Sequence, residues 1–424
     1  MLNRDSLEKG AAAPFSSCFV RPLYESYCFA HIPRTVQYLL TGQGEPGLPI
    51  ETFGGLPRRY NKLIVFFVDA FGWSFFERYA NRYPFLQRAL SQGCISQITS
   101  QFPSTTSAHM TCMNSGLPVG QSGVYEWFYY EPQVDDLISP LTFSFARSNG
   151  RETLKRQSLP PEAFYPASTL YQALEQHGIS SYVFKSAAYA GSTYSRQLCR
   201  GATIVPFRDQ DEALRLLASS VLADPEQPGY YFFYTDVIDH TCHLLGPDSP
   251  VVEEEIRLFF ERLEATFERE LYHKLDNTAC LLIADHGQVA VNPTTTIYLN
   301  KELPALAGSL KTNRAGQLLV PAGSARDLFL AVKEEAIASV VADLRTLLGE
   351  RGEVYETKEL LDLGFFGPSP APVLLNRLGN VVVLPYEGES VWWYDEGIFE
   401  MRFMGHHGGL TPHEMQTPLI LLPL

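Results

Sequence analysis

Residues 63–72 read LIVFFVDAFG: six apolar residues in succession, Leu63 to Val68, run directly into Asp69. Two further stretches repeat the design. YYFFYTDVIDHTCH at 230–243 carries Asp239 and His243, and CLLIADHG at 280–287 delivers Asp285 and His286. A short continuous apolar run reads as a strand covered on both faces. In an open parallel sheet the carboxyl ends of the strands share one edge, so ligands distant in sequence meet there in a single crevice. The expected fold class is α/β, a mainly parallel sheet with helices on both faces.

Working outward, the units are a strand at 63–68, an aromatic amphipathic helix at 74–92 and a strand at 95–100. Helix 168–177 then leads into strand 181–185, helix 210–222 into strand 230–234, and helix 250–274 into strand 279–284. Residues 1–60, rich in Pro, Gly and turn residues with one short helix at 32–40, wrap the core. After His286 the rhythm changes: strand-like runs at 318–320 and 381–384, a helix at 334–348 and the breaker segment GFFGPSPAP. The expected organisation is a core at 1–290, an inserted α+β subdomain at 291–400, and a return to the core at 401–424 ending in an apolar strand. A chain of 424 residues exceeds the about 250–300 at which one core stops growing, which agrees with a large domain plus a smaller one.

Apolar residues at 45% and charged residues at 19% are ordinary globular values. The formal charge of −14 comes with no basic block, which argues against a surface that grips a nucleic-acid backbone or anionic lipid. No run approaches the roughly 20 apolar residues of a membrane span, and the first residues lack signal-peptide character. Seven cysteines without CxxC spacing fit reduced thiols. A cytoplasmic protein is the expectation; the oligomeric state is left open.

Each segment offers chemistry beside a structural alternative. Asp69 is either a metal ligand or the cap of the following helix, since a lone buried carboxylate is costly without a cation or donors. In FPSTTSAH, 102–109, a helix starting near Ser107 presents an anion-binding N-terminus, and a threonine hydroxyl there is either a nucleophile or a simple cap. Asp239 and His243 lie four apart and share a face if the loop makes a helical turn, whereas His240 and Cys242 point elsewhere. Asp236 supports the site or caps the turn. Asp285 and His286 reach one ion together on an irregular turn, with Gly287 relieving crowding where the backbone turns sharply. GHHGGLTPHEM, 405–415, adds His406, His407 and His413, so six of the ten histidines fall in three short segments.

In this order the chain resembles the alkaline phosphatase superfamily, and within it the type I phosphodiesterase/nucleotide pyrophosphatase family. The order is a strand-Asp, FPSxT, D-x-x-x-H-x-x-G-P, D-H-G and a late H-G-G. These motifs span Lys62 to Gly287 and Gly405 to Leu424 and leave 291–400 uncovered. The resemblance implies an alkaline phosphatase-like core and two divalent metal ions. Asp69, Thr106, Asp285 and His286 would hold the first, and Asp239, His243 and His407 the second. Thr106 is preferred to Thr105 because it sits three residues after Pro103 and ten before Gly116. His243 is preferred to His240 because Gly246 and Pro247 follow at the family's spacing. Three carboxylates, three imidazoles and an alkoxide suit Zn²⁺, with Mn²⁺ or Fe²⁺ as alternatives.

The implied activity is hydrolysis of phosphodiester or pyrophosphate bonds in a small-molecule substrate, with Thr106 attacking phosphorus and a phosphothreonine intermediate. Phosphomonoesterase or phosphonate hydrolase action is the alternative, and a non-catalytic metal-binding scaffold the reading from another class. A sulfatase lacks its C/S-x-P-x-R run here. The chain departs from the nucleotide pyrophosphatases at Trp127, preceded by Glu126, where the family carries an Asn that binds phosphate. Asn114, backbone amides near Thr106, or Lys185 are the candidate replacements. Aromatic residues in YEWFYYEP, 125–132, and in VWWY, 391–394, form either a pocket wall or core packing.

Overall fold

The computed structural model describes residues 1–272 and 274–424. A seven-stranded sheet is built from β1 (Lys62–Val68), β2 (Cys94–Thr99), β3 (Ser180–Ser186), β4 (Thr203–Phe207), β5 (Gly229–Thr235), β6 (Thr278–Ile283) and β7 (Gln416–Pro423). Their order across the sheet is β2-β7-β6-β1-β5-β3-β4. β1 pairs in parallel with β5 and β6, and β3 in parallel with β4 and β5. β7 runs antiparallel to both β2 and β6. Every residue of β1, β5 and β6 is buried, as a strand covered on both faces requires.

Strand parity divides the core. Leu63, Val65 and Phe67 join one apolar cluster with α1 (Ile32–Thr41), α4 (Thr106–Ser115) and α5 (Leu170–Glu175). Ile64, Phe66 and Val68 join the other with α2 (Trp73–Tyr79), α3 (Pro84–Gln92), α6 (Gln210–Leu222) and α8 (Pro250–Thr266). The α/β class with helices on both faces is therefore what the chain adopts. A smaller antiparallel sheet, Leu328–Leu330, Val381–Pro385 and Gly352–Glu356, lies against α9 (Ile337–Leu348). Its apolar residues belong to the same continuous cluster as the first face of the main sheet.

Several expectations need correction. The helix expected at 74–92 is two, because Pro84 has no N–H to bond back and its ring clashes with the preceding turn; it instead opens α3 at the first position. Residues 318–320 form no strand: Leu318 pairs with Thr312 over a single residue, and Pro321 denies the ladder a donor. The helix expected at 250–274 ends as α8 at Thr266 and widens into one π-helical turn, Phe267–Leu271; His273 lies outside the described residues. β4 escaped the sequence reading because an edge strand with exposed positions lacks a continuous apolar run. No helix among the described residues is long and apolar enough to cross a membrane.

Candidate active site

Asp69 follows β1 directly, and its N–H donates to Thr235 O at the end of β5 (3.0 Å). Asp285 and His286 follow β6. Thr106 is the first residue of α4, which packs on the first face of the sheet. Asp239 and His243 lie one turn apart on α7 (Val237–Leu245), so the expected helical turn is present. The late histidines reach the same edge because β7 is antiparallel, so its beginning lies where the parallel strands end.

Two groups of side chains result. Thr106 Oγ1 lies 3.3 Å from Asp69 Oδ2, 3.5 Å from Asp69 Oδ1 and 3.2 Å from His286 Nε2. His286 Nε2 is 3.3 Å from Asp285 Oδ2 and 3.5 Å from Asp69 Oδ1. In the second group, Asp239 Oδ1 is 3.4 Å from His243 Nε2 and 3.6 Å from His407 Nε2. The imidazoles of His286 and His407 stack with centroids 3.6 Å apart, joining the two groups at their centre. All seven residues proposed from the sequence are thus brought together.

The donor set fits divalent cations, and the tautomers are the reason. Nδ1 of His286, His243 and His407 faces a carbonyl oxygen, of Gly287, Gly405 and Ser104 respectively, at 2.9–3.0 Å. A carbonyl only accepts, so each Nδ1 carries the proton and each Nε2 turns a lone pair inward. Those lone pairs meet carboxylate oxygens, an arrangement that repels unless a positive ion lies between. Asp285 Oδ2 is buried without a hydrogen-bond partner. Burial, then Asp285 and Asp239, hold the Asp69 carboxyl well above the usual range. Burial, then Asp239, push Asp285 up to about 7. Burial, reinforced by neighbouring histidines, keeps His286 and His407 neutral. Asp239, His286 and His407 form one group able to hold an ion, and Asp69, Asp285 and His286 another.

Surrounding contacts hold the ligands in place. Tyr234 OH donates to Asp69 Oδ2 (2.6 Å), and Gln288 Nε2 to Asp239 Oδ1 (2.6 Å). His109, buried and with its pKa lowered to about 4 by that burial, donates from Nδ1 to Thr105 O (2.7 Å) and accepts from Gln101 N (2.8 Å). Ser100 Oγ lies 2.9 Å from His109 Nε2 and donates to Asp285 O (2.7 Å), tying the start of α4 to the second ligand strand. Sequence reasoning passed over Tyr234, Gln288 and His109; only the four-residue step from Thr105 to His109 signalled a local bond.

Other candidates sort clearly. His240 is exposed and Cys242 buried in the core, so both point away. Asp236 occupies the cap position of α7 without a capping bond and accepts from Tyr189 OH (3.4 Å). His406 is in neither group able to hold an ion: its Nδ1 lies 2.9 Å from His407 O and its pKa is lowered to about 3 by burial, while His413 pairs on the surface with Glu387 (2.9 Å). Asn114 is unavailable to a phosphate: it donates to Met110 O (2.6 Å) and accepts from Tyr171 OH (2.5 Å) inside the core. Lys185 is buried and donates to Ser195 Oγ (2.9 Å). Trp127 is 40% exposed, whereas Trp392 and Trp393 are buried, so the aromatic stretches pack mainly as core. Gly287 is required by close approach and not by a sharp turn: a Cβ there would lie 2.1 Å from His413 O, and one on Gly72 would lie 2.6 Å from Gly287 Cα.

A parallel sheet whose carboxyl edge gathers three aspartates, three histidines and a helix-borne threonine defines an alkaline phosphatase-like hydrolase. The pattern of the type I phosphodiesterase/nucleotide pyrophosphatase family matches residues 63–409, and the chain belongs to that family. It is accordingly a hydrolase of phosphoester or pyrophosphate bonds, of a family that works with divalent metals on small phosphoesters. Among solved structures, murine ectonucleotide pyrophosphatase/phosphodiesterase 5, in an inactive form complexed with AMP, is similar at 16% identity with a TM-score of 0.61, over 84% of this chain and 87% of that one. The human counterpart is 15% identical with a TM-score of 0.61, over 85% and 87%. Phosphonoacetate hydrolase from Sinorhizobium meliloti 1021, complexed with phosphonoacetate, is 16% identical with a TM-score of 0.59, over 84% and 89%. At such identities these likenesses speak to the fold alone. Among curated proteins no sequence matches the chain.

Proposed function

We propose that the chain is a two-metal phosphohydrolase that cleaves phosphodiester or pyrophosphate bonds through a phosphothreonine at Thr106. The observation that carries this reading is Thr106 Oγ1, set 3.2–3.5 Å from Asp69 and His286 at the first turn of α4. Asp69, Asp285 and His286 with Thr106 would hold one ion, and Asp239, His243 and His407 the other. Bound there, such ions supply positive charge that stabilises the phosphoryl oxygens and favours the ionised threonine. The donor set suits Zn²⁺.

Thr105 offers no side-chain cap, so the first-turn N–H groups of α4 remain for a phosphoryl oxygen. These amides are the best replacement for the family Asn, since Asn114 is occupied. As the Thr106 Oγ–P bond forms, the P–O bond to the leaving group breaks. The hydroxyl proton passes to water and the departing oxygen regains one. Water then attacks the phosphothreonine from the opposite side and returns the hydroxyl. AMP in the murine neighbour's complex and phosphonoacetate in the bacterial one's each carry a phosphorus oxyanion, which supports a substrate of that chemistry. The reduced cysteines agree with a cytoplasmic setting.

Metal analysis paired with Thr106→Ala tests the reading. Wild type should carry two ions per chain and hydrolyse a bis-aryl phosphodiester faster than its monoester. Thr106→Ala should lose at least about a thousandfold in kcat while keeping the ion of the second group. Full activity in the variant, or no bound metal in an active wild type, defeats it.

A further inference from the structure

Arg326 and Glu414 form an ion pair from which solvent is wholly excluded, both side chains being 0% exposed. Arg326 Nε donates to Glu414 Oε1 and Nη2 to Oε2, each at 2.9 Å, and Nη1 donates to the carbonyl oxygens of Tyr386 (2.7 Å) and Glu389. Arg326 lies just before the strand Leu328–Leu330, and Tyr386 and Glu389 just after Val381–Pro385, so one guanidinium ties two strand ends of the smaller sheet to the residue that shortly precedes β7. Glu414 in turn accepts at Oε1 from Gly409 N (3.1 Å), and at Oε2 from Thr411 N (3.3 Å) and Thr411 Oγ1 (2.7 Å). Its backbone is held separately, by Gly287 N on its carbonyl oxygen (2.9 Å) and by its own N–H on Thr411 O (3.1 Å).

A buried ion pair is weak evidence for stability, since apolar residues of similar size often serve as well or better. What a well-satisfied buried network does is fix one arrangement of the groups it bonds, and here those groups belong to the turn that follows His407. On its other side the turn meets the nucleophile segment: His407 Nδ1 donates to Ser104 O (2.9 Å), Gly408 N to Ser104 Oγ (3.2 Å), and Ser104 N to Gly408 O (3.2 Å). The Gly408–Gly409 peptide is thus pinned at both ends, its oxygen by Ser104 and its N–H by Glu414. Two successive glycines give the backbone its widest freedom, so these bonds decide where it runs.

Resting on the phosphohydrolase reading, we propose that Arg326 is a positioning residue for the second group: through Glu414 and the Gly409 N–H it holds the turn that brings His407 Nε2 beside Asp239. It acts through Glu414 and not on the substrate. The smaller sheet thereby takes part in assembling the catalytic edge. Loss of the guanidinium fork should loosen His407 and leave Asp69, Asp285 and His286, which follow β1 and β6, where they are.

Co²⁺ titration of the metal-free protein, followed by visible absorption, reads the two metal affinities without turnover. Arg377 supplies the control: it is equally buried (1% exposed) against a carboxylate, Glu131, and bonds Gly123 O (2.8 Å) and Phe164 O (3.1 Å), none of them in the metal-binding turns. Arg326→Lys, which keeps the charge and loses the fork, and Glu414→Gln, which keeps the size, should each weaken one ion about 10–100-fold and leave the other unchanged. Arg377→Lys should lower the thermal midpoint comparably with both affinities intact. In a His407→Ala background, Arg326→Lys should weaken metal no further. Equal weakening of both ions, no weakening of either, the same loss in Arg377→Lys, or an additive loss on His407→Ala makes the pair a structural one only and overturns the proposal. Should Arg326→Lys fail to fold, Glu414→Gln decides. A wild type that binds two ions but hydrolyses no phosphodiester defeats the phosphohydrolase reading, while a selective loss in Arg326→Lys would still uphold Arg326 as the holder of His407. A wild type that binds no second ion overturns both.

Discussion

Tyr234 OH, 2.6 Å from Asp69 Oδ2, leaves that carboxylate one free direction, toward Thr106 and His286. Removing it should free the ligand to rotate. Tyr234→Phe is expected to lower metal affinity or kcat by about 10–100-fold, read by metal titration and initial rates, with the thermal midpoint little changed. An unchanged metal affinity and rate would show that Asp69 is positioned by the backbone alone. Asp69 and Asp285 were legible in the sequence because a charge that ends an apolar run stands out. Tyr234 was not, since nothing within YYFFYT distinguishes one tyrosine from the next. Parity separates them: Tyr230, Phe232 and Tyr234 share the face that carries Asp69, and Tyr231 and Phe233 face the other cluster.

At the scale of elements, the direction of β7 matters most. Running antiparallel, it starts at the catalytic edge, so the Gly-rich segment before it can bring His407 beside Asp239. Gly408 makes that approach possible: its φ is +127°, and a Cβ would lie 2.5 Å from Ser324 Oγ and 2.8 Å from Asp327 Oδ1. Gly408→Ala should therefore cost about 1–3 kcal/mol and reduce activity by displacing His407. Denaturant melts and kcat measure both; a variant as stable and active as wild type would show that the loop adapts. The periodic pattern announced α6 without error, and the four-residue spacing put Asp239 and His243 on one face if a helical turn formed there, as it does in α7. It ran past Pro84, because apolar spacing continued across the residue that ends one helix and begins the next.

Across the whole molecule, three carboxylates are concentrated at one edge of a chain that is already net −14. The metal-free fold should be strained there. A chelator is expected to lower the thermal midpoint, and returning metal in excess to restore it, following RT ln(1 + [L]/Kd). Asp285 separates the charge from the packing. Its folded pKa of about 7 lies above its unfolded value of 3.8, so the native state binds more protons between these limits and the carboxyl costs more stability as pH rises through them. Metal-free Asp285→Asn should thus gain on metal-free wild type from pH 4 to about 7, by roughly 1–3 kcal/mol, yet lose the stabilisation by added metal. A gap that does not widen with pH would remove the carboxylate as the source of strain. The sequence by itself determined every strand of the main sheet but β4, the aspartates that follow β1 and β6, and the spacing that lets one helical turn join Asp239 to His243, because apolar runs and three- and four-residue spacings are local signals. Only the tertiary structure decided which hydroxyl and imidazole nitrogen face the same point. That depends on the order of strands in the sheet and the reversal of β7, long-range pairings that no neighbouring residue encodes.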